Sequence, residues 1–170
     1  TKGGEAPNVV PDFAEVYYYV RHPSAGGLQP IWDRVITAAK AAALGTGTTV
    51  AIEVMHGNHS GLPNEILSRR MHSNLTRVGG VDYNDEERAF AQTLSESLSV
   101  GNFLGSEADV MPFQIVQGMG STDVGDVSWV VPTVGLRTAT WVPGTAAHSW
   151  QAVAAGGTTI GTKGMRVATK

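Results

Sequence analysis

A strand–helix–strand unit near the start of a chain commits it to a sheet that this unit cannot cover by itself. Residues 13–21, Phe13 to Arg21, have the β-branched and aromatic content of a strand, with tyrosines at 17, 18 and 19. One face of that strand is expected to pack and the other to stay wet. His22 to Gly27 reads as a loop. Pro30 stands where a helix tolerates proline best, in its first turn, and the helix should run to Leu44 and stop at Gly45. Ile31, Val35, Ala38, Ala39 and Ala42 mark its buried stripe, whose small residues suit close packing on a sheet. TTVAIEVM, Thr48 to Met55, is the second strand. This is half of an α/β-plait-like layer, and other strands and a helix must complete it.

Composition narrows the function classes. The 170 residues, 42% of them hydrophobic, suffice for one ordinary domain or parts of two. Twelve Lys and Arg against fifteen Asp and Glu leave a net charge of −3, and no basic run interleaves with aromatics, so a nucleic-acid partner has no electrostatic support. No apolar run approaches the roughly 18–20 residues of a membrane span, and no signal-peptide pattern opens the chain. Cytoplasmic location is the default expectation. With no cysteine, only oxygen and imidazole are available to a metal within this stretch. The chain begins at Thr1 and ends inside a helical run, Gly161 to Lys170, which suits an excised or processed fragment.

Further along, His56 and His59 lie three apart just past the second strand. They are either half of a metal site or, as is commoner for loop histidines, solvated. Asn64 is a good N-cap for a helix with Leu67, Met71, Leu75 and Val78 on one face, closed by Gly79-Gly80. Arg69, Arg70 and His72 sit off that face, on an expected solvated surface. Asn84-Asp85-Glu86-Glu87 opens another helix, with Glu87 placed for a capping box and Phe90, Ala91, Leu94 and Leu98 facing the core. Residues 101–117 read as a turn-rich linker with a short extended piece at 113–116.

The stretch from Gly118 to Gln151 holds the chemistry. A glycine-rich loop carries Asp123 and Asp126 among Ser121, Thr122 and Ser128. A β-rich run, Trp129 to Val142, follows, punctuated by Pro132, Gly135 and Pro143. Gly144-Thr145-Ala146-Ala147-His148 then delivers a histidine at a helix start. A carboxylate loop and a histidine loop joined by a strand read as two walls of one site. The bland alternative is that the two aspartates cap turns and His148 is an ordinary helix-start residue.

GSTDVGDVSW followed by GTAAHSWQAVAAGGTTIGTKGM resembles the C-terminal part of the p-aminobenzoyl-glutamate hydrolase B-subunit amidohydrolases. These belong to the aminoacylase and carboxypeptidase superfamily of two-metal amide hydrolases. GGEAPNVVPDFAEVYYYVRHP resembles the strand-rich lid inserted into the catalytic domain of that family. The resemblance implies an α/β fold in two parts: half of an α/β-plait lid and dimerisation domain over 1–62, then the C-terminal part of an α/β catalytic domain over 63–170. Leu62-Pro63-Asn64 would be the crossing between them.

It also implies a metal-dependent amidohydrolase acting on p-aminobenzoyl-glutamate or a related N-acyl amino acid. Two divalent ions, zinc or manganese, would be held mostly by residues upstream of this chain, where the catalytic glutamate is also expected. His148 matches the late histidine ligand. Asp123 is retained from a Gly-Ser-Glu-Asp-Phe loop that here reads Gly120-Ser121-Thr122-Asp123-Val124. Asp123, Asp126 and Ser128 are thus pocket candidates, and Asn8 would reach a substrate carboxylate or carbonyl unless it only closes its own turn. Trp129, Trp141 and Trp150 offer an aromatic slot and Arg137 a carboxylate partner, or else simple packing and surface charge. The implied partners are the missing N-terminal half and a second copy joined through the lid. The rival from another class is a non-enzymatic binding or dimerisation module.

Overall fold

A computed structural model of the chain describes residues 2–101, 103–116, 118 and 120–170. The expected linker 101–117 and the central stretch 118–151 therefore each include positions outside the described residues. The chain divides into two units, Thr1–Gly61 with Gln117–Asp126, and Leu62–Val116 with Val127–Lys170.

The first unit holds β1 (Lys2–Gly3), β2 (Ala14–Glu15) and α1 (Ala25–Thr46). The two strands pair antiparallel, Lys2 with Glu15 and Gly3 with Ala14, and theirs is the one sheet among the described residues. The strand expected over 13–21 thus shrinks to two residues, and the one expected at 48–55 does not form. A strand persists only where a neighbour takes its backbone hydrogen bonds, and no described segment does so there. Val50, Ile52, Val54 and Met55 accordingly remain exposed, as do Tyr17, Tyr18 and Tyr19.

Helix α1 starts earlier and ends later than its sequence suggests. Ser24 caps it by accepting from the Gly27 amide at 3.2 Å, so Pro30 lies in the second turn and not the first. Gly45 stays helical, and the stop is Gly47, whose φ of 66° is a left-handed cap. Leu28, Trp32, Val35, Ile36, Ala39 and Ala43 form its half-buried stripe, rotated from the expected one, with Ile31, Ala38 and Ala42 exposed. No residue of α1 is fully buried.

In the second unit the first two helices follow the sequence closely. Helix α2 (Glu65–Val78) is capped by Asn64, which accepts from the Leu67 amide at 3.0 Å, and Leu67, Met71, Leu75 and Val78 lie on its partly buried side. Helix α3 (Asp85–Ser95) has the anticipated capping box: Asn84 accepts from the Glu87 amide, and Glu87 from the Asn84 amide. A single 3₁₀ turn (Ser106–Ala108) and a five-residue helix α4 (Val124–Ser128) precede α5 (Trp150–Gly156) and α6 (Thr159–Ala168); α4 straddles the division between the units.

The β-rich run at 129–142 forms no strand among the described residues, which makes the structure mostly helical where an α/β layer was expected. Residues 139–142 pack on helices instead. Trp141 presents its carbonyl to the Tyr83 hydroxyl at 3.4 Å, and Val142 is buried with Val81, Tyr83, Ala91, Leu94, Ala155 and Ile160. Helix α6 can lie this close because position 164 has no side chain. A Cβ there would sit well inside van der Waals contact distance of the Ala139 carbonyl oxygen.

Glu87 ties this core together. It is 5% exposed, and besides closing the capping box it takes the Lys163 ammonium of α6 at 2.5 Å, while Lys163 also reaches the Asp82 carbonyl at 2.8 Å. Burial opposes its ionisation, but the Lys163 ammonium, the Thr159 hydroxyl and the Asn84 amide outweigh it and hold the carboxyl at about 2. Tyr83 is driven the other way: burial first, then the Glu107 and Glu87 carboxylates, raise its hydroxyl well above the ordinary value.

Two outcomes follow for stability. Gly164→Ala should cost about 1–3 kcal/mol by overpacking against a backbone carbonyl, read from denaturant midpoints at unchanged m-value. Because Glu87 has a lower pKa folded than unfolded, its contribution is complete above the ordinary value near 4.5 and is lost as pH falls toward about 2. Glu87→Gln should flatten that part of the acid-unfolding profile and cost about 1–3 kcal/mol at neutral pH.

Candidate functional site

In the second unit the loop after Val142 presents His148. Thr145 turns back to donate its amide to the Val142 carbonyl at 3.1 Å, and Gly144, at φ 89°, lies against the side chains of Leu98, Val100 and Phe103. Ser149 then performs two tasks at once: its hydroxyl donates to the Ala146 carbonyl at 2.7 Å and accepts from the Ala152 amide at 3.2 Å as the cap of α5. Closing 146–149 this tightly sends His148 into the left-handed region at φ 60°, the one non-glycine residue there among those described. A side chain makes that conformation costly, so it needs a reason. His148 lies on an open cleft of about 570 Å³ lined with Trp141, Ser149, Trp150, Ala152 and Val153. Trp141 and Trp150 thus adjoin the histidine, while Trp129 does not line this cleft.

In the first unit the carboxylate loop is shaped by its own hydroxyls and amides. The Thr122 hydroxyl accepts from the Val124 amide at 3.3 Å and donates to Asp123 at 3.4 Å, and the Asp126 amide donates to the Asp123 carbonyl at 3.0 Å. Asp123 is exposed. Asp126 has a partner 67 positions away: its Oδ1 accepts from the His59 amide at 2.9 Å and pairs with His59 Nδ1 at 2.8 Å. The His59 amide, and after it the imidazole, hold the Asp126 carboxyl below the usual carboxylate range.

This pairing is what sequence reasoning missed. His59 was expected to be half of a metal site or, more commonly, solvated; it is 71% exposed and pairs with Asp126. Only the tertiary fold brings 59 to 126. Gly125 is the local trace of it, because a Cβ there would collide with the His59 carbonyl oxygen.

The remaining candidates fall as follows. Asn8 sits in the exposed turn at 6–9, where the Val9 amide donates to the Ala6 carbonyl. Ser128 is buried, and its hydroxyl accepts from the Leu62 amide at 2.8 Å. Arg137 is exposed. Asn8, Asp123 and Asp126 belong to the first unit; Ser128, Arg137 and His148 belong to the second. The surface expected around 69–72 is more structured than its polarity suggests. Arg69 pairs with Glu65 at 2.7 Å and stacks its guanidinium on Phe113, while His72 meets Phe113 edge-on and pairs with the Met111 carbonyl.

His148 offers an exposed imidazole among small neighbours, Gly144 to Ala147, that let other groups approach closely. Among the described residues no three His, Asp or Glu side chains converge.

No protein-family model matches the chain, and no solved structure does. Among curated proteins it is 35% identical to the B-subunit of p-aminobenzoyl-glutamate hydrolase from Escherichia coli, over 99% of this chain and 40% of that protein. It is 31% identical to Xaa-Arg dipeptidase of mouse and of human, over 78% of this chain and about a quarter of each. The chain is therefore homologous to a segment of these hydrolases and spans well under half of their length.

The left-handed backbone at 148 makes a stability prediction independent of any activity. His148→Gly should leave the fold as stable or stabilise it by up to about 1 kcal/mol, whereas His148→Val should destabilise it by about 1–2 kcal/mol. Equal melting of the two variants would show that the loop is not held at that φ.

Proposed function

We propose that the chain is part of a metal-dependent amidohydrolase that cleaves the amide bond of p-aminobenzoyl-glutamate or of a related N-acyl amino acid or dipeptide. The observation that carries this is the homology along virtually the whole chain to the p-aminobenzoyl-glutamate hydrolase B-subunit. Residues 1–62 serve as part of a lid and dimerisation domain and 63–170 as the C-terminal part of the catalytic domain; the division at Gly61/Leu62 supports that boundary. The missing N-terminal half of the enzyme supplies the catalytic carboxylate and most metal ligands.

In this reading His148 donates one imidazole nitrogen to one of two divalent ions, zinc or manganese. When bound, the metal polarises the amide carbonyl and lowers the pKa of the attacking water. The strained φ at 148 supports a functional reason for keeping histidine where glycine fits better. Trp141 and Trp150 receive the aromatic or apolar acyl group on the cleft beside it. Arg137 pairs with the substrate carboxylate. Asn8 of the lid portion presents an amide, and Asp123 of the catalytic portion a carboxylate, to polar groups of the substrate. Asp126 and Ser128, each accepting from a backbone amide of this chain, shape the loop and complete the set of substrate-binding residues.

A second use of the first unit is assembly. Helix α1 buries no residue completely, and Val50, Ile52 and Val54 are exposed, which favours completion of this layer by the rest of the lid and pairing with a second copy.

The test uses the complete protein. Purified with and without His148→Ala, it should lose about half its bound divalent metal in the variant, with hydrolysis of p-aminobenzoyl-glutamate falling at least about a hundredfold. Hydrolysis of an Xaa-Arg dipeptide by the wild-type protein, with p-aminobenzoyl-glutamate untouched, would move the substrate assignment to the dipeptidases. Unchanged metal content in His148→Ala would remove His148 from the ligand set.

A further inference from the structure

The loop that carries His148 is anchored in the core of the second unit at both ends. It leaves at Val142 and returns at Ala152, which are 1% and 7% exposed. At the first end the Thr145 amide is fixed to the Val142 carbonyl. At the second, α5 is seated by the buried Ala152 and Ala155, and the Gln151 side-chain amide donates to the Ser97 carbonyl just past α3, at 3.3 Å. Residues 146–148 between these anchors are exposed. Among the described residues, one hydrogen bond closes them: the Ser149 hydroxyl, already the cap of α5, gives its proton to the Ala146 carbonyl at 2.7 Å.

The two bonds of that hydroxyl make different demands. Capping needs only an acceptor for the Ala152 amide, and aspartate would serve as well as serine. Closing on Ala146 needs a proton to donate, which a hydroxyl supplies and a carboxylate does not. Histidine enters the left-handed region more readily than most residues, but a side chain there still carries a cost. An exposed three-residue stretch with no other closure would relax out of it.

We infer that Ser149 is a positioning residue: by donating to Ala146 it holds His148 at its left-handed φ, and by capping α5 it ties that conformation to the core. The imidazole is thereby pre-oriented on the cleft beside Trp141 and Trp150 before anything binds. That His148 then ligates a metal rests on the function proposed above; the control of its backbone by Ser149 does not.

The full chain, labelled with 13C and 15N, tests this by NMR without metal. The one-bond Cα–Hα coupling of His148 separates positive from negative φ, and hydrogen exchange at the Ala152 amide reports the cap. Ser149→Asp should move the His148 coupling to its negative-φ value while protection at Ala152 stays within about threefold of the parent. Ser149→Thr, which keeps both bonds, should leave both readings unchanged. A helix cap with no hold on the loop would not move the His148 signal, so a positive φ retained in Ser149→Asp overturns the proposal. Should that variant fail to fold, Ser149→Ala, which removes the donation without adding charge, is read at His148 in the same way.

A second measurement is thermodynamic. In the parent, His148→Gly should leave the folding equilibrium constant unchanged or raise it up to about fivefold, because glycine accepts the left-handed φ at no steric cost. In the Ser149→Asp background that φ is no longer imposed, and the same change should lower the constant about two- to fivefold through the freedom glycine adds to the unfolded chain. Equal effects in the two backgrounds would show that Ser149 and the conformation of His148 are independent. A protein without amidohydrolase activity would leave this coupling standing, and its absence would leave the hydrolase reading intact.

Discussion

The second unit depends on one carboxylate. Glu87 caps its own helix through the Asn84 amide and binds the Lys163 ammonium of α6 with the same oxygen. A charged group this deeply buried is tolerated only when its partners are already in place. Capping and ion pairing therefore enforce each other: α3 must begin at Asn84 for Glu87 to face Lys163, and α6 must dock for the buried charge to be compensated. Around this anchor the apolar contacts follow, with Ile160 and Ala155 packed against Ala91 and Leu94, and with Tyr83 and Val142 completing the layer. Lys163 also takes the Asp82 carbonyl, which fixes the entry into α3.

Where the chemistry is local, the residues announced it. Asn64 and Asn84 are asparagines immediately before apolar periodic runs, and Glu87 stands three positions past its cap; each required nothing beyond its neighbours to be read. The start of α5 after His148 was legible for the same reason. Boundaries set by a rival cap were not. Proline at 30 looked like a first-turn residue, yet Ser24 offered a side-chain oxygen six residues earlier, and Gly47 could adopt a left-handed φ where Gly45 was not asked to.

Strands were the larger error, and the reason is physical. TTVAIEVM and the run after Trp129 have strand composition, but composition describes a preference for a pleated neighbour, not the neighbour. In the first case no described segment pairs with it, and in the second the core claims residues 139–142 through Tyr83 and Gly164. The candidate site divides in the same way. His148 was marked by its small-residue approach, and its backbone strain adds a structural reason to single it out. His59 was marked only by its spacing from His56, and nothing local pointed to Asp126, which lies 67 residues downstream. The family relationship was legible in short motifs at both ends of the chain, and homology to a segment of the p-aminobenzoyl-glutamate hydrolase B-subunit bears it out.

The bond between Glu87 and Lys163 spans 76 residues, and this has a kinetic side. During synthesis at roughly 5–20 residues per second, α3 would be complete for about 4–15 seconds before its counter-charge is made. For that interval its apolar face, Phe90, Ala91 and Leu94, has no α6 to cover it. The second unit thus closes late, with α3 held by its caps alone until α6 arrives. Slowing translation between α3 and α6 lengthens the window in which that face can find the wrong partner, and faster elongation narrows it.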